Sequence, residues 1–384
     1  MYDLVILAGG KGTRIKPFLN GKPKPLIKIL GYNFLDYILF QLSKFFFQNI
    51  FIIAGYRGNF IRSKYHLKYI NLSLIRVINE KKLKGTGGAL FDVKKYIKND
   101  FFVVNGDSIF DINIFDLIKK NYNSALGKIA LTKNSSYKTN GKLNHLRLKK
   151  NGKLFYSSNL KNSNLMNGGV YFFKKKFLKK IKNKYSSLEQ DILPNLIKKG
   201  KIYGKFYKNF FLDIGTKKNL KLAPIKLKFF FKPAIFLDRD RVLNFDNGYT
   251  HKIKDLKLIK KTIKFLKKKK YYYLFIVTNQ AGIAKKKFSL HQFFSFQTNL
   301  LKQLYKQGIF INDVKFCPHH KNALLKKYKK ICLCRKPNNK MLKDLLNTWP
   351  IIKKKSFMIG DSISDKIAAK NTNIVFKNIT DISA

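Results

Sequence analysis

The sequence has few acidic residues and few cysteines. Its 384 residues include 20 Asp and Glu against 80 Lys and Arg, a formal net charge of +60. Three cysteines are an odd number, which argues against a disulfide framework. No apolar run reaches the length of a membrane span, because Lys or Asp interrupts each one. Since Met1 leads into a glycine loop without a basic segment or cleavage site, we expect no secretory signal and a cytoplasmic location.

The excess of positive charge permits two interpretations. Lys and Arg bind nucleic acids and membranes through their charge. Here the excess is nearly all Lys, while Asn, Ile, Phe and Tyr, whose codons are also rich in A and T, are abundant. Because the lysines are spread along the chain, we favour compositional drift and predict no specific nucleic-acid partner and no membrane span. The oligomeric state is left open.

Short apolar runs alternate with longer amphipathic stretches, which predicts an α/β fold. The predicted strands are LVILA (4–8), IFIIA (50–54), FFVVN (101–105), GVYFF (169–173), AIFLD (234–238), YLFIVT (273–278) and SFMIG (356–360). The predicted helices include 34–46, 88–98, 257–270 and 292–307. The stretch 217–233 contains two prolines and no motif. Because each flanking block opens with a strand that ends in a polar loop, we predict two domains, 1–226 and 227–384.

The first block opens with a glycine loop, LAGGKGTRIKPF (7–18). The amides of such a loop, followed by a helix, bind an anion, and Arg14 and Lys24 add positive charge. A plain strand–helix turn explains the loop equally well by itself. Five further motifs follow PKPL (23–26) in order: GTGGAL (85–90), VVNGDS (103–108), NGGVY (167–171), SLEQDIL around Glu189, and FLDIGT (211–216).

This succession, over about residues 2–222, resembles the sugar-phosphate nucleotidyltransferases, and among them the guanylyltransferases of a heptose 1-phosphate. The resemblance implies a Rossmann-like mixed sheet with the active site at the carboxyl ends of its strands. It assigns the nucleotide phosphates to Gly9, Gly10, Gly12, Thr13 and Arg14, and the base to Gly85, Thr86 and Gly87. It implies that Lys24 offsets the charge that develops as pyrophosphate leaves, and that Asp107 and Asp213 bind Mg²⁺. The residues that would contact the sugar are Asn167, Gly168 and Glu189. A cap after a strand is the alternative for Asp107.

The second block opens with two carboxylates, Asp238 and Asp240, directly after a predicted strand. This spacing lets one carboxylate attack phosphorus while the other handles the proton of the leaving group. Pairs of this kind also bind only a metal or cap a helix. Three motifs follow in order: IVTNQAGIA (276–284), CRKP (334–337) and MIGDSISD (358–365).

These features, over about residues 232–378, resemble the haloacid dehalogenase-like phosphatases, in particular those acting on a heptose 1,7-bisphosphate or on histidinol phosphate. The resemblance implies a Rossmannoid sheet, an aspartyl-phosphate on Asp238, and Asp240 as general acid and then base. It assigns the phosphoryl group to Thr278 and Lys336, and Mg²⁺ to Asp238, Asp361 and the carbonyl of Asp240. It assigns the substrate to Asp246, Asn247, Gly248, Tyr249, Asn279, Gln280 and Arg335.

All three cysteines lie in one segment with two histidines. Cys317, His319, Cys332 and Cys334 provide the S₃N ligand set of a closed tetrahedral zinc site. Such a site fixes the loop that leads to Arg335 and Lys336, so we predict a structural role. The alternatives are free buried cysteines, a redox pair at Cys332 and Cys334, or His320 in place of His319.

The chain departs from these patterns at three places. Arg241 stands where the phosphatases usually have glycine, Ser362 where a lysine often follows the aspartate, and SYKTNGKL where the transferases keep a Tyr-Gly pair. We nevertheless expect a bifunctional enzyme that makes a GDP-heptose, a precursor of lipopolysaccharide-type surface glycan, from GTP and sugar phosphates. The alternatives are a hexose 1-phosphate transferase fused to a histidinol-phosphate phosphatase, a polyanion-binding protein with inactive domains, and a protein with one active domain.

Overall fold

The computed structural model describes residues 1–119, 124–133, 146–156 and 165–383. The chain divides into two compact units, and the mixed α/β fold predicted from the sequence is confirmed. The first unit comprises Met1–Gln41, Phe47–Tyr69 and Ser73–Lys226. The second comprises Leu42–Phe46, Ile70–Leu72 and Leu227–Ala384. Within the described residues, no helix is long and apolar enough to cross a membrane.

The first part of the chain contains a mixed sheet and two separate two-stranded pairs. Its strands are β1 Tyr2–Leu7, β2 Lys28–Ile29, β3 Tyr32–Asn33, β4 Phe47–Ala54, β5 Tyr69–Ile70, β6 Ser73–Asn79, β7 Phe101–Asn105, β8 Ser108–Phe110, β9 Gly127–Lys133, β10 Leu146–Leu148, β11 Leu154–Tyr156, β12 Leu165–Phe173, β13 Ile202–Phe206 and β14 Phe211–Asp213. The main sheet has the order β11-β10-β12-β7-β1-β4-β6-β5, and β9 pairs with β12 and β13. Strands β7, β1, β4 and β6 run parallel, whereas β12 is antiparallel to β7.

This topology gathers polar loops at one edge. The parallel strands β1, β6 and β7 end next to the glycine loop, Glu80 and Asp107 respectively, because the carboxyl ends of parallel strands share an edge. A separate pair, β8 and β14, is antiparallel and sets Asp213 opposite Ser108. Asp213 thus lies beside Asp107, although 106 residues separate them in the sequence.

The helices of this part are shorter than predicted. They are α1 Phe34–Leu42, α2 Gly58–Tyr65, α3 Gly85–Val93, α4 Leu193–Lys198 and α5 Lys217–Lys226. The hydrophobic core includes a run of buried aromatic rings, in which Phe173 stacks on Phe177 with ring centroids 3.8 Å apart. Such close ring packing holds β12 in place behind the polar edge.

The second unit contains a parallel sheet in the order β17-β16-β15-β18-β19. Its strands are β15 Ala234–Leu237, β16 Tyr273–Asn279, β17 Asp313–Cys317, β18 Phe357–Gly360 and β19 Val375–Asn378. Its helices are α6 Lys260–Lys267, α7 Ala281–Ala284, α8 Leu290–Lys306, α9 Lys340–Thr348 and α10 Ile363–Lys370. The four residues of β15 are fully buried, as expected for the centre of a parallel sheet. Asp238 follows β15 directly and Asp361 follows β18, so both carboxylates lie at the same edge.

Candidate active sites

Lys24 joins two aspartates of the first unit, Asp107 and Asp213. Its ammonium lies 2.6 Å from Asp107 Oδ2 and 3.9 Å from Asp213 Oδ1. Burial and the neighbouring Asp107 raise the pKa of Asp213, while Lys24, the Gly215 amide and Arg14 oppose the rise. Two carboxylates held this close favour a cation between them, which Lys24 supplies in this structure.

The glycine loop borders a cavity of about 510 Å³. The cavity is lined by Leu7, Gly9, Gly10, Lys11, Ile53, Glu80, Leu83, Gly85, Thr86, Ala89, Asn105, Asp107 and Tyr185. Gly12 has φ 65°, and a Cβ on it would lie 3.2 Å from that of Lys24, so glycine lets the loop turn closely over this side chain. The cavity combines loop amides, an acidic strand end and apolar walls, which suits a nucleotide.

A hydrogen-bonded network lies next to this cavity. Thr86 Oγ1 donates to Glu189 Oε2 at 2.6 Å, and the Tyr171 hydroxyl donates to Glu189 Oε1 at 3.0 Å. Asn167 Nδ2 in turn donates to the Tyr171 hydroxyl at 2.6 Å. Gly168 contacts the Phe110 ring instead, since a Cβ there would lie 2.4 Å from it. The network brings together Thr86, predicted to contact the base, and Asn167 and Glu189, predicted to contact the sugar.

In the second unit, Lys336 joins two carboxylates at the carboxyl edge of the sheet. Its ammonium lies 2.9 Å from Asp238 Oδ1 and 2.6 Å from Asp365 Oδ1, and it donates to the carbonyl of Val277 at 2.8 Å. The Lys336 side chain is only 1% exposed. Burial, Asp365 and Asp240 raise the pKa of Asp238 to about 7 against the effect of Lys336. Although burial opposes it, attraction to Asp238 and Asp365 raises the pKa of Lys336.

Asn279 holds the backbone that carries Lys336. Its side chain donates to the carbonyl of Lys336 and accepts from the Lys336 amide, both at 3.0 Å. Asn279 ends β16, which also carries the buried Thr278. The sheet therefore fixes the position of a lysine that lies on a long connection.

Asp240 is held by a different set of donors. Arg239 binds it through two nitrogens at 2.9 Å, and Gln280 Nε2 donates to its Oδ2 at 2.9 Å. Gln280 also donates to Thr278 Oγ1 at 2.9 Å. Arg239 is fully buried, with its guanidinium 4.9 Å from the centre of the Phe296 ring. Asp240 and Asp238 thus share a loop, and Arg239 contacts both, since its backbone amide donates to Asp238 Oδ1 at 2.7 Å.

Arg241 contacts the same group of carboxylates. Its Nε lies 2.8 Å from Asp361 Oδ2, and its backbone has φ 59°, in the left-handed region that favours glycine. Burial raises the pKa of Asp361, while Arg241 opposes the rise. The departure from the glycine pattern therefore places a guanidinium on a predicted magnesium ligand.

The cysteine-rich loop closes into a compact cluster. The sulfur atoms of Cys317, Cys332 and Cys334 lie 3.0–3.3 Å apart, and His319 Nδ1 lies 3.7 Å from Cys317 and 3.4 Å from Cys334. Around a tetrahedral zinc with bonds of about 2.3 Å, sulfur atoms lie about 3.7 Å apart. The cluster is slightly tighter than that, and its S₃N donor set fits zinc. His320 lies outside it, with its Nδ1 accepting from the Asn322 amide at 3.0 Å.

Comparison with known proteins identifies the families of both parts of the chain. The family model for nucleotidyl transferases matches residues 4–227, more than half of the chain, and a HAD-hydrolase-like model matches residues 333–376. The D-glycero-beta-D-manno-heptose-1,7-bisphosphate 7-phosphatase of Rhodopseudomonas palustris is 41% identical over 146 residues, which are 37% of this chain and 81% of that protein. The chain belongs to the nucleotidyl transferase family, fused to a HAD-like phosphatase.

Two more relatives extend the comparison. The D-glycero-beta-D-manno-heptose-1,7-bisphosphate 7-phosphatase of Escherichia coli K12 is 35% identical over 144 residues, 37% of this chain and 75% of that protein. The crystal structure of HddC from Yersinia pseudotuberculosis is 27% identical with a TM-score of 0.49, and the match covers 59% of this chain and all of that one. We call residues 1–226 the transferase part and 227–384 the phosphatase part from here on.

Three carboxylates of the phosphatase part could hold a metal ion together. Oxygen atoms of Asp238, Asp361 and Asp365 lie within 4.8 Å of one another. Carboxylate oxygens are the ligands that Mg²⁺ prefers, so this donor set fits the ion. In the transferase part, Asp107 and Asp213 both offer carboxylate oxygen atoms near Lys24, a donor type that also fits Mg²⁺.

Several residues predicted to bind nucleotide or substrate have contacts within the protein or lie exposed. Gly87 does not line the cavity, because α3 packs there against Ser186 and Ile192. Asp246 accepts from the amides of Gly248 and Thr250, so its carboxylate shapes an exposed turn. Asn247 and Tyr249 lie exposed in the same turn, and the guanidinium of Arg335 reaches the His319 carbonyl at 3.5 Å. SYKTNGKL falls outside the described residues.

Sequence reasoning missed four residues of these sites. Glu80 follows β6, a strand that was not predicted because Ser73 and Arg76 interrupt its apolar pattern. Tyr171 lies within the predicted strand 169–173, and Arg239 was given no role. Asp365 had a usable signal, since it lies three residues after Ser362 in the Ser-x-x-Asp pattern that begins a helix.

Proposed function

We propose that this chain is a bifunctional enzyme of nucleotide-activated heptose synthesis. The phosphatase part removes the 7-phosphate of a heptose 1,7-bisphosphate, and the transferase part joins the remaining 1-phosphate to GMP from GTP. The observation that carries the proposal is a buried lysine that contacts two aspartates in each part, Lys24 in one and Lys336 in the other. The relatives of the phosphatase part support the heptose, and the order of the transferase motifs supports guanine.

In the phosphatase part, Asp238 acts as the nucleophile. One of its oxygens attacks the phosphorus atom, the bond from phosphorus to the sugar oxygen breaks, and Asp240 gives a proton to that oxygen. Water then attacks the aspartyl-phosphate, Asp240 takes its proton, and phosphate leaves with Asp238 restored. Thr278 and Lys336 bind the phosphoryl oxygens throughout. Asp238 and Asp361 would hold Mg²⁺, which would supply further positive charge to this group.

In the transferase part, the sugar 1-phosphate is the nucleophile. One of its oxygens attacks the α-phosphorus of the nucleotide, and the bond to the β-phosphate breaks with release of pyrophosphate. The glycine loop and Arg14 bind the phosphates, and Lys24 compensates the charge on the leaving group. Asn167 and Glu189 bind sugar hydroxyls. Asp107 and Asp213 would hold Mg²⁺, which would reduce the repulsion between the two phosphates.

Zinc bound by Cys317, His319, Cys332 and Cys334 has a structural role in this proposal. Four protein ligands leave no open position for substrate. The two residues after Cys334 are Arg335 and Lys336, so the cluster fixes the loop that carries the lysine into the site.

Separate assays of the two reactions test the proposal. The purified chain is given heptose 1,7-bisphosphate, histidinol phosphate and a set of sugar 1-phosphates with GTP, ATP, CTP or UTP, and release of phosphate and pyrophosphate is followed independently. We expect Asp238→Asn to abolish phosphate release only, and Asp107→Asn to abolish pyrophosphate release only, so each variant controls for the other. Unchanged phosphate release by Asp238→Asn would refute the covalent mechanism. A preference for histidinol phosphate or for a hexose 1-phosphate would refute the heptose assignment.

A further inference from the structure

The cysteine-rich loop, residues 317–337, exposes aliphatic side chains that neither proposed reaction uses. Ile331 is 88% exposed, Leu333 is 70% exposed and Leu324 is 67% exposed. Single exposed aliphatic residues are common on protein surfaces. Ile331 and Leu333, however, flank Cys332, whose sulfur lies in the cysteine cluster, and both side chains project into solvent. We call Ile331 and Leu333 the apolar pair.

The backbone that carries the apolar pair is held in place. The carbonyl of Cys332 accepts from Asn338 Nδ2 at 3.1 Å, and the carbonyl of Leu333 accepts from the Lys340 amide at 3.2 Å. The cluster of sulfur atoms holds the side chain of Cys332 itself. The apolar pair therefore cannot turn inward without breaking these contacts. Its surface gains free energy when a partner removes it from water.

The charged side chains around the apolar pair are all positive. Between Asp313 and Asp344 the sequence contains no acidic residue. The exposed lysines of the loop are Lys321, Lys326, Lys327, Lys329 and Lys330. Among the ion pairs of the described residues, none includes a lysine of this set. The loop thus presents apolar side chains among cations, which favours a partner that is both anionic and apolar.

This combination distinguishes a lipid surface from other partners of a basic loop. Nucleic acids bind lysines through their phosphates, but their bases stack on aromatic side chains, whereas the side chains that project here are aliphatic. A second copy of this chain would bring like charges together, since each copy has a formal net charge of +60. An anionic bilayer offers phosphate groups to the lysines and acyl chains to the apolar pair at the same surface.

We propose that the cysteine-rich loop attaches this protein to the surface of an anionic membrane. The apolar pair inserts below the lipid headgroups, and the exposed lysines of the loop bind the lipid phosphates. Such an attachment lies in the interface and needs no spanning helix. It is independent of both proposed reactions. Insertion of two aliphatic side chains corresponds to a factor of about ten or more in the affinity for the membrane.

Co-sedimentation of the full chain with lipid vesicles tests the proposal. We expect binding to vesicles of phosphatidylcholine mixed with phosphatidylglycerol, and much weaker binding to phosphatidylcholine alone. Ile331→Ser combined with Leu333→Ser keeps every charge, so it separates insertion from the general attraction of a basic chain to anionic lipid. This double variant should bind about tenfold more weakly or worse. Ile225→Ser combined with Val375→Ser is the matched control, because these side chains are 68% and 60% exposed outside the loop, and it should bind like the parent.

Fluorescence gives a second measurement that does not depend on a loss of binding. The single tryptophan of the chain, Trp349, is fully buried. Ile331→Trp should therefore gain a blue-shifted emission with the anionic vesicles and be quenched by brominated lipid, whereas the emission of the parent should not change. Circular dichroism verifies that each variant is folded.

Three outcomes would overturn the proposal. The first is that the parent and the Ile331→Ser, Leu333→Ser variant bind anionic vesicles equally, which would assign the binding to lysine charge alone. The second is that brominated lipid leaves the emission of Ile331→Trp unchanged. The third is that the parent binds a mixed-sequence RNA but not the vesicles, which would make the partner a nucleic acid.

Discussion

Replacing Arg241 by glycine should strengthen magnesium binding in the phosphatase part. The Arg241 guanidinium lies 2.8 Å from Asp361 Oδ2, so an ion that uses this oxygen must first displace it. The Arg241 side chain is 64% exposed and Asp361 is 13% exposed, so water screens the pair. A pair of this kind contributes about 0.5–1 kcal/mol, which corresponds to a roughly two- to fivefold lower dissociation constant once it is removed.

The backbone of Arg241 changes the expected stability little. At φ 59° a non-glycine residue is strained by about 1 kcal/mol, which glycine relieves. Glycine also gains freedom in the unfolded chain, which offsets a similar amount. We therefore expect the free energy of unfolding of Arg241→Gly to stay within about 1 kcal/mol of the parent.

Two matched variants separate charge from backbone. Arg241→Asn removes the positive charge but introduces a residue that tolerates positive φ. Arg241→Lys keeps the positive charge. The dissociation constant for Mg²⁺ is measured by calorimetric titration of protein dialysed free of magnesium, in an Asp107→Asn background that silences the other acidic pair. Arg241→Gly and Arg241→Asn should bind more tightly, and Arg241→Lys should resemble the parent. Equal binding by the parent and Arg241→Gly, or the same gain in Arg241→Lys, would refute the reasoning.

Three further predictions concern zinc, pH and packing. Cys332→Ser should lower zinc, measured by atomic emission, from about one per chain, and reduce phosphatase but not transferase turnover; retained zinc would contradict the four-ligand site. Because burial raises the pKa of Asp238 to about 7, a proton competes with the metal, so Mg²⁺ affinity should rise with pH up to about 7 and then level off; affinity independent of pH would contradict this. Phe173→Ala should lower the free energy of unfolding by about 3–5 kcal/mol in urea titrations, since this ring is fully buried on Phe177, and a loss below about 1 kcal/mol would contradict tight packing there.

Strand ends were the part of the sites that could be predicted from sequence. Asp107, Asp238 and Asp361 each follow a buried apolar run, and β7, β15 and β18 form as predicted. Apolar runs are dictated by burial, and the fold then brings their ends together. The pairing of Lys336 with Asp238 could not be derived from spacing alone, because it depends on how a long connection closes over the sheet.

Helix ends were predicted less well because tertiary contacts override local preference. The predicted helix 88–98 forms instead as Gly85–Val93, although three glycines in its first turn disfavour a helix. Close approach to Ser186 explains these glycines, since a Cβ on Gly85 would lie 2.6 Å from the Ser186 carbonyl oxygen. No pattern within the helix itself contains that information.

One carboxylate in the phosphatase part serves two purposes. Asp365 Oδ2 accepts from the Ser362 hydroxyl at 2.8 Å at the start of α10, while Oδ1 meets the ammonium of Lys336. Natural selection for a well-formed helix would therefore preserve this aspartate in a descendant that no longer hydrolyses phosphate esters. When homologous genes are surveyed for lineages that have lost the reaction, a substitution at the position of Asp238 is the more telling sign, because that side chain caps no helix.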